Sequence, residues 1–401
     1  MRLNLNRASK FKVSESAAPM KARLTVKAKI VHLTRVKQRL LETEYENLQR
    51  FLRGERDVPL YSAYKQQALR YYKKVKEGKE YPLSIRKDLL KIERRDTKIA
   101  EYWARIPVKG RRGGVWVAIK PHRPIEPDME ICESKLFKKD GEWWLHIVVQ
   151  KEVEKPKPNP RRIIAIDIGD RNIATKVELV DGEVQNPKFY GREVRGIRRH
   201  YDWLRRRLGE KRLLKKIKQI GRKEHRRVDD VLHKISREVV NRAKELGATI
   251  VIGNLKGIRK KNRGRTLNRI VNRMPYYRLT EYIKYKAEWE GIPVLVIPEY
   301  NTSKTCHRCG KEGKRVSQGL FKCPNCGLEY NTDLNGAINI AKLSLSYMLG
   351  DGGALTRPLT PHEGVELACG LKPLSLKVEN LPASAGECQY NYYWKTNYLN
   401  I

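Results

Sequence analysis

The chain has 401 residues, with 85 Lys and Arg against 45 Asp and Glu, a formal charge of +40. At roughly 100–200 residues per domain, that length suggests two to three domains. The charge argues against an enzyme of small neutral metabolites, because it repels itself in a compact state and a polyanion relieves it; nucleic acid is the fitting partner. No apolar run approaches the roughly 20 residues of a spanning helix. The start, Met1 to Lys10, has no apolar signal core. Neither membrane insertion nor secretion is expected. Of seven cysteines, four form two Cys-x-x-Cys pairs, while Cys132, Cys369 and Cys388 are scattered. That suits a reducing compartment and one metal site.

The stretch to about Arg23 is polar and reads as loosely ordered. Leu24 to Val31 alternates apolar and basic residues, a strand pattern. Thr34 to Leu52 places Val36, Leu40, Leu41, Leu48, Phe51 and Leu52 at helical spacing. Helices are also expected at Ala63 to Val75 and after Ser84. The period then changes to two. Ile99 to Ile106, Gly114 to Ile119, Glu130 to Phe137 and Trp143 to Val149 read as strands, with turns at Arg111 to Gly114 and Lys138 to Gly141. Glu154 to Pro160 is Pro-rich, as a semi-rigid linker would be.

Beyond it the pattern becomes α/β. Ile163 to Ile168 is nearly all apolar, as in a strand buried on both faces. A basic helix starts near Arg192. Another carries Val228, Leu232, Ile235, Val239, Ala243 and Leu246, with Gly247 as its stop. The strand Thr249 to Ile252 follows. Pro275 can open a helix to Glu290, stopped by Gly291. Val294 to Ile297 is the next strand. From Gly350 to Ile401 the chain is rich in Pro, Gly and Ser with weak periodicity, and an ill-ordered tail is expected.

Cys306 and Cys309 are separated by thirteen residues from Cys323 and Cys326. Zinc takes four tetrahedral ligands, and two such turns facing each other supply them. Gly310 and Gly327 follow the pairs, where tight turns favour glycine. A redox role needs one Cys-x-x-Cys, not two. Four protein ligands close the coordination sphere, so the zinc is expected to be structural; whether the ribbon also touches DNA stays open.

Two acids stand out. Asp167 ends the apolar run Ile163-Ile-Ala-Ile-Asp-Ile-Gly169. A carboxylate there is costly unless it is paired or binds a cation, and a turn or cap aspartate is the plainer reading. Asp333 opens a helix on which Leu334, Ile338 and Ala341 share a face; a capping aspartate is again the plainer reading. Two distant acids in so basic a chain suggest a metal-dependent phosphodiester site, since magnesium prefers carboxylate oxygens and paired metals clamp an in-line displacement.

Together, Ile166-Asp-Ile-Gly169, Leu255-Lys-Gly-Ile258, Thr302-Ser-Lys-Thr-Cys306 with both cysteine pairs, and Asp333-Leu-Asn-Gly-Ala-Ile-Asn-Ile340 resemble the TnpB family of transposon-encoded RNA-guided nucleases, relatives of the type V CRISPR effectors. The resemblance covers roughly Ile163 to Leu345; the N-terminal half matches in plan only. It implies an α/β RNase H-like (RuvC) nuclease domain with an inserted zinc ribbon, after an N-terminal β-barrel or sheet domain with a helical insert. The expected divisions are a loose terminus (1–23), a nucleic-acid-binding domain (24–153), a linker (154–161), the RuvC-like domain (162–301), the ribbon (302–331), the last RuvC helix (332–349) and the tail (350–401). The resemblance further implies structural zinc, catalytic magnesium, a guide RNA and double-stranded target DNA, with the protein monomeric on its RNA in a prokaryotic cytoplasm.

One position departs from the family. Most members end the central strand with Glu, followed by Asp or Asn and Leu, whereas this strand ends Val251-Ile-Gly-Asn-Leu255. Gly253 cannot ligate a metal through a side chain. Glu299 closes the next strand, and parallel neighbours lie about 4.8 Å apart, so its carboxylate can reach the vacant place. The expected catalytic and magnesium-binding set is therefore Asp167, Glu299 and Asp333. The alternative is a nuclease-inactive RNA-guided DNA-binding protein, a repressor or decayed element, in which Glu299 is a solvated loop residue.

Basic runs supply candidate phosphate contacts: Arg205, Arg206, Arg207 and Lys211, then Lys260, Lys261, Arg263 and Arg265. The second run lies where the family places a flexible segment beside the active site. A heteroduplex held by its backbone needs many such contacts. Tyr71, Tyr72, Tyr276 and Tyr277 could stack on bases, although half-buried core positions are commoner for such residues.

Overall fold

In the computed structural model the described residues are 19–154, 157–255, 264, 268, 274–299, 301–317 and 319–349. The chain divides into two units, Met1–Glu154 and Lys155–Ile401. The loose 1–23 segment therefore lies mostly outside the described residues, as do the tail from 350, Cys369 and Cys388.

In the first unit the alternating N-terminal segment forms β1 (Met20–Val31). Two helices follow, α1 (Arg35–Leu52) and α2 (Ser62–Tyr71). Thr34 caps α1, its hydroxyl accepting the Lys37 N–H at 3.4 Å, and Leu41, Tyr45, Leu48 and Phe51 form its buried face. Glu44 on that face is buried too; its carboxylate accepts the backbone N–H of Tyr61 and of Lys109. The remaining strands are β2 (Leu83–Ile85), β3 (Lys91–Arg94), β4 (Tyr102–Val108), β5 (Arg111–Pro121), β6 (Glu130–Ile131), β7 (Ser134–Lys139) and β8 (Glu142–Val153).

The antiparallel order is β2-β7-β8-β1-β5-β4-β3, with β6 on β8. The edges β2 and β3 are consecutive strands that form no ladder with each other among the described residues, so of the expected barrel or sheet the described strands match the sheet. Ser84 lies in β2, not before a helix. The chain instead turns at Arg86–Leu90, where the Arg86 guanidinium grips Asp88 with two bonds of 3.0 and 2.9 Å. The turn expected at Arg111–Gly114 sits earlier, at Lys109–Gly110. Gly113 and Gly114 are inside β5 with φ of 83° and 70°. A β-carbon on Gly114 would meet the Ile106 carbonyl oxygen at 2.5 Å, so these glycines serve an irregular ladder rather than a loop.

The second unit runs β9 (Arg162–Asp167), β10 (Ala174–Val180), β11 (Glu183–Tyr190), α3 (Arg192–Glu210), α4 (Leu214–Leu246), β12 (Thr249–Asn254), α5 (Tyr276–Trp289), β13 (Val294–Pro298), β14 (Lys314–Ser317), β15 (Leu320–Lys322), β16 (Glu329–Tyr330) and α6 (Thr332–Leu349). The strand order is β11-β10-β9-β12-β13; β9 to β11 are antiparallel and β12 runs parallel to both its neighbours. One face of the sheet packs Ile164, Ile166, Ile250 and Ile252 against α3, α4 and α5. The other packs Ile163, Ala165, Val177 and Val251 against α6 and the cysteine module. Both faces of β9 and β12 are thus covered, which is why they are so apolar. Gly247 ends α4 in the left-handed conformation, φ 60°. Asn159, near the end of the Pro-rich stretch, is tied to β12, its N–H donating to the Thr249 hydroxyl at 2.7 Å.

Candidate functional site

Ladder register brings the acids to one edge of the sheet. In the β9–β12 pair Ile166 lies opposite Ile252, so the next residues, Asp167 and Gly253, are level. In β12–β13 Gly253 pairs with Ile297. Glu299, two residues on, points to the face that Ile297 does, because side chains alternate along a strand.

A β-carbon built on Gly253 would lie 2.5 Å from Glu299 Cγ and would overlap its carboxyl group. Glu299 therefore leans across β12 into the space its neighbour leaves empty. Its Oε1 is buried and has no hydrogen-bond partner among the described residues. Burial pushes its carboxyl up to about 7.

Asp333 arrives from the first turn of α6. The Asn331 side chain caps this helix, accepting the N–H groups of Asp333 at 2.9 Å and Leu334 at 3.2 Å. Gly336 then lets the helix close on β9: a β-carbon there would stand 3.0 Å from Asp167 Oδ2. Burial raises the Asp167 carboxyl well above the usual range. Glu299 and Asp333 raise it further, and Arg315 of β14 opposes them. Crowded, buried acids of this kind have chemistry that a hard divalent cation would satisfy. Asp167, Glu299 and Asp333 are the residues that could offer oxygen donors to an ion such as magnesium. The three form a neighbourhood, not a closed cage: among the described residues, only the four cysteines form a group whose ligand atoms all lie within 4.8 Å of one another.

One residue here was not singled out from the sequence. Asn172 is buried and donates from Nδ2 to Asp333 Oδ2 at 3.0 Å. Its only sequence signal is its place in the turn Gly169-Asp-Arg-Asn172 that leaves β9.

The cysteine module is a three-stranded antiparallel ribbon, β14-β15-β16. Each Cys-x-x-Cys turn closes on a glycine: Gly310 N–H donates to Cys306 O at 2.9 Å and Gly327 N–H to Cys323 O at 3.0 Å. Both glycines have positive φ, 72° and 67°. The Cys306 and Cys326 sulfurs are 3.7 Å apart, and those of Cys309 and Cys323 are 3.5 Å apart. Zinc–sulfur bonds of about 2.3 Å at the tetrahedral angle need sulfurs about 3.8 Å apart. The quartet fits zinc.

The basic candidates separate. Arg205 is committed within the protein, bonded to Asp202 at 2.9 Å and to Glu224 of α4. It fastens α3 to α4. Arg206, Arg207 and Lys211 are exposed, and so is Trp203, over which the Arg207 guanidinium lies 5.8 Å from the ring centre. Lys260, Lys261, Arg263 and Arg265 lie outside the described residues. Of the tyrosines, Tyr277 is 64% exposed and Tyr276 packs on the core beside α4. In the first unit Tyr71 bonds Glu133, and Tyr72 donates to Pro82 O. Among the described residues no helix is long and apolar enough to cross a membrane.

Comparison with known proteins gives two family matches. Residues 146–259 match the OrfB_IS605 family, described as a probable transposase, and residues 276–340 match the family described as Cas12f1-like, TNB domain. A TnpB-like protein of Aquifex aeolicus is 31% identical over 279 residues, 62% of this chain and 87% of that one. A CRISPR-associated endodeoxyribonuclease Cas12f1 of Sulfoacidibacillus thermotolerans is 30% identical over 236 residues, 55% of each chain. A cryo-EM structure of a Cas12f1–sgRNA–target DNA complex aligns over 80% of this chain and 99% of that one, with 16% identity and a TM-score of 0.38.

Proposed function

This chain belongs to the TnpB-like family, and on that premise we propose that it is an RNA-guided, magnesium-dependent DNA endonuclease encoded by a transposable element. Its nuclease domain is RuvC-like, with an RNase H-like sheet and a zinc ribbon set before the last helix. The order β11-β10-β9-β12-β13, three antiparallel strands and then two parallel ones, supports that fold. The relative named an endodeoxyribonuclease supports the activity, and the probable-transposase family supports the mobile-element setting. The charge of +40 supports guide RNA and target DNA as partners.

The observation that carries the reading is the Glu299 carboxyl group beside Gly253, whose Oε1 is buried with no hydrogen-bond partner among the described residues. Asp167 and Glu299 come from the sheet edge and Asp333 from α6. Asn172 holds one oxygen of Asp333, which fixes the direction of the other. Gly336 keeps the helix close to Asp167. Magnesium at these oxygens would stabilise charge on the phosphate and activate water for in-line attack. The four thiolates would leave zinc no open position, which makes its role architectural.

The second reading, an RNA-guided DNA-binding protein without cleavage, is favoured by one observation: the three carboxyl groups do not all lie within 4.8 Å of one another, as the cysteine sulfurs do. The purified protein–RNA complex, given a matched DNA target and magnesium, separates the two. Magnesium-dependent cleavage supports the nuclease; tight guided binding with intact DNA supports the binder.

A further inference from the structure

A second stripe of α6, away from Asp333, is polar where it meets the ribbon. Asn335 is fully buried. Its Oδ1 accepts the His307 backbone N–H at 3.0 Å and lies 3.0 Å from His307 Nδ1. Its Nδ2 donates to Thr305 O at 2.8 Å. One turn on, Asn339 Nδ2 donates to Thr302 O at 2.8 Å and Thr305 O at 2.7 Å. Lys342 Nζ then donates to His307 O. Residues at i, i+4 and i+7 share a helix face, and every bond from these three ends on the arm 302–307, the arm that delivers the zinc ligand Cys306.

The same helix carries the acid site. Asp333 lies two residues before Asn335, and Gly336, one after it, abuts Asp167. A helix moves as a stiff rod between two such anchors. The thiolates fix the arm, the arm fixes the helix through Asn335, and the helix fixes the Asp333 carboxyl group. Displacement of about 1 Å is enough to disable a catalytic constellation.

We propose that Asn335 is a positioning residue that couples zinc at the four cysteines to the divalent cation at Asp167, Glu299 and Asp333, so that filling either site tightens the other. The inference rests on the acid cluster binding a cation, as argued above. Because binding linkage is reciprocal, it can be read without any cleavage assay.

The zinc dissociation constant of the full-length protein is measured by chelator competition, with and without saturating magnesium. Manganese binding to the acid cluster is followed separately by its electron paramagnetic resonance signal, with Asp333→Asn as the control. In the native protein magnesium should tighten zinc about 5-fold or more, the lower end of ordinary coupling. Asn335→Ala should still bind both metals, with zinc affinity now independent of magnesium. A purely structural Asn335 would weaken zinc equally in both conditions and leave their ratio unchanged. Should Asn335→Ala not fold, Asn339→Ala removes two bonds to the same arm and reads the same ratio. Manganese binding at Asp333 without any effect of magnesium on zinc overturns the coupling alone, as does a ratio preserved in the variant. No manganese bound in the native protein overturns the nuclease reading and the coupling with it.

Discussion

The carboxyl group of Glu299 occupies the volume that a side chain on Gly253 would need. The two residues sit at the ends of adjacent parallel strands, and the register of β12 and β13 makes them neighbours. The missing β-carbon at one position is therefore the condition for the inward lean of the other. On the proposed reading, the glycine of the central strand and the glutamate of its neighbour are parts of a single arrangement.

That relationship makes alanine at 253 a sharp probe. The three atoms nearest a new methyl group all belong to the flexible side chain of Glu299, so Gly253→Ala should fold with nearly native thermal stability. The carboxyl group should nonetheless be displaced, and target cleavage should fall about 100-fold or more, the scale of losing one electrostatic contact to the transition state. Glu299→Gly combined with Gly253→Glu should recover part of the activity that Glu299→Gly alone removes. Native cleavage rates for Gly253→Ala would show that the Glu299 position is immaterial.

A different buried charge supports the sheet from its other face. Glu178 of β10 is fully buried. Burial pushes its carboxyl up, but the forked Arg242 guanidinium, Lys176 and Asn186 outweigh that and hold it down to about 2. A folded value below the ordinary 4.5 means stabilisation that is complete above about pH 4.5 and lost as pH falls toward 2. Glu178→Gln should therefore destabilise the protein by about 1–3 kcal/mol at neutral pH, and the gap to the native protein should close in acid. Urea unfolding at pH 7 and pH 3 checks this; an equal gap at both would contradict it.

Much of the second unit was legible in the sequence because burial on both faces leaves a plain record. Ile163 to Ile168 and Thr249 to Ile252 are apolar throughout, and Gly247 and Pro275 mark helix ends where they occur. The hairpin of β10 and β11 was not read, although Asp181-Gly182, with φ of 49° and 90°, is a signature of its turn. Its buried Lys176 and Glu178 mask the strand alternation by pairing with each other. In the first unit Gly113-Gly114 mimicked a turn because close backbone approach and chain reversal both call for glycine. The acids at 167 and 299 were visible as isolated carboxylates after apolar runs, and the one at 333 as the opening of a helix. Asn172 was not, and Asn335 stood only as a letter of the motif 333–340 with no role, since an amide carries no charge anomaly and its role depends on contacts 161 and 28 residues away.

Arg205 and its neighbours should behave differently. Arg205→Ala removes the link from α3 to α4 and should lower the melting temperature, with little change in how RNA affinity depends on salt. Arg206→Ala, Arg207→Ala and Lys211→Ala together should preserve stability and flatten the slope of log affinity against log salt by about 2, at about 0.7 per phosphate contact on a single strand. Filter-binding titrations at several salt concentrations, run beside thermal melts, distinguish the two. An unchanged slope in the triple variant would remove this face from the RNA footprint.

For the ribbon, replacing a sulfur donor should abolish tight zinc binding. Cys323 is buried within the core that also contains Phe321, Leu334 and Ile338. Cys323→Ser should drop bound zinc from about one ion per chain to a small fraction and lower the melting temperature of the second unit. Elemental analysis of the native protein provides the reference; a native protein without zinc would contradict the assignment.

The central claim is that Glu299 supplies the acid missing at Gly253, and the most direct measurement is target cleavage by Glu299→Gln. The variant keeps the size of the side chain and removes its charge. With purified protein–RNA complex, matched double-stranded DNA and magnesium, the cleavage rate should fall by orders of magnitude while guided DNA binding stays at the native level. Cleavage at the native rate would contradict the claim.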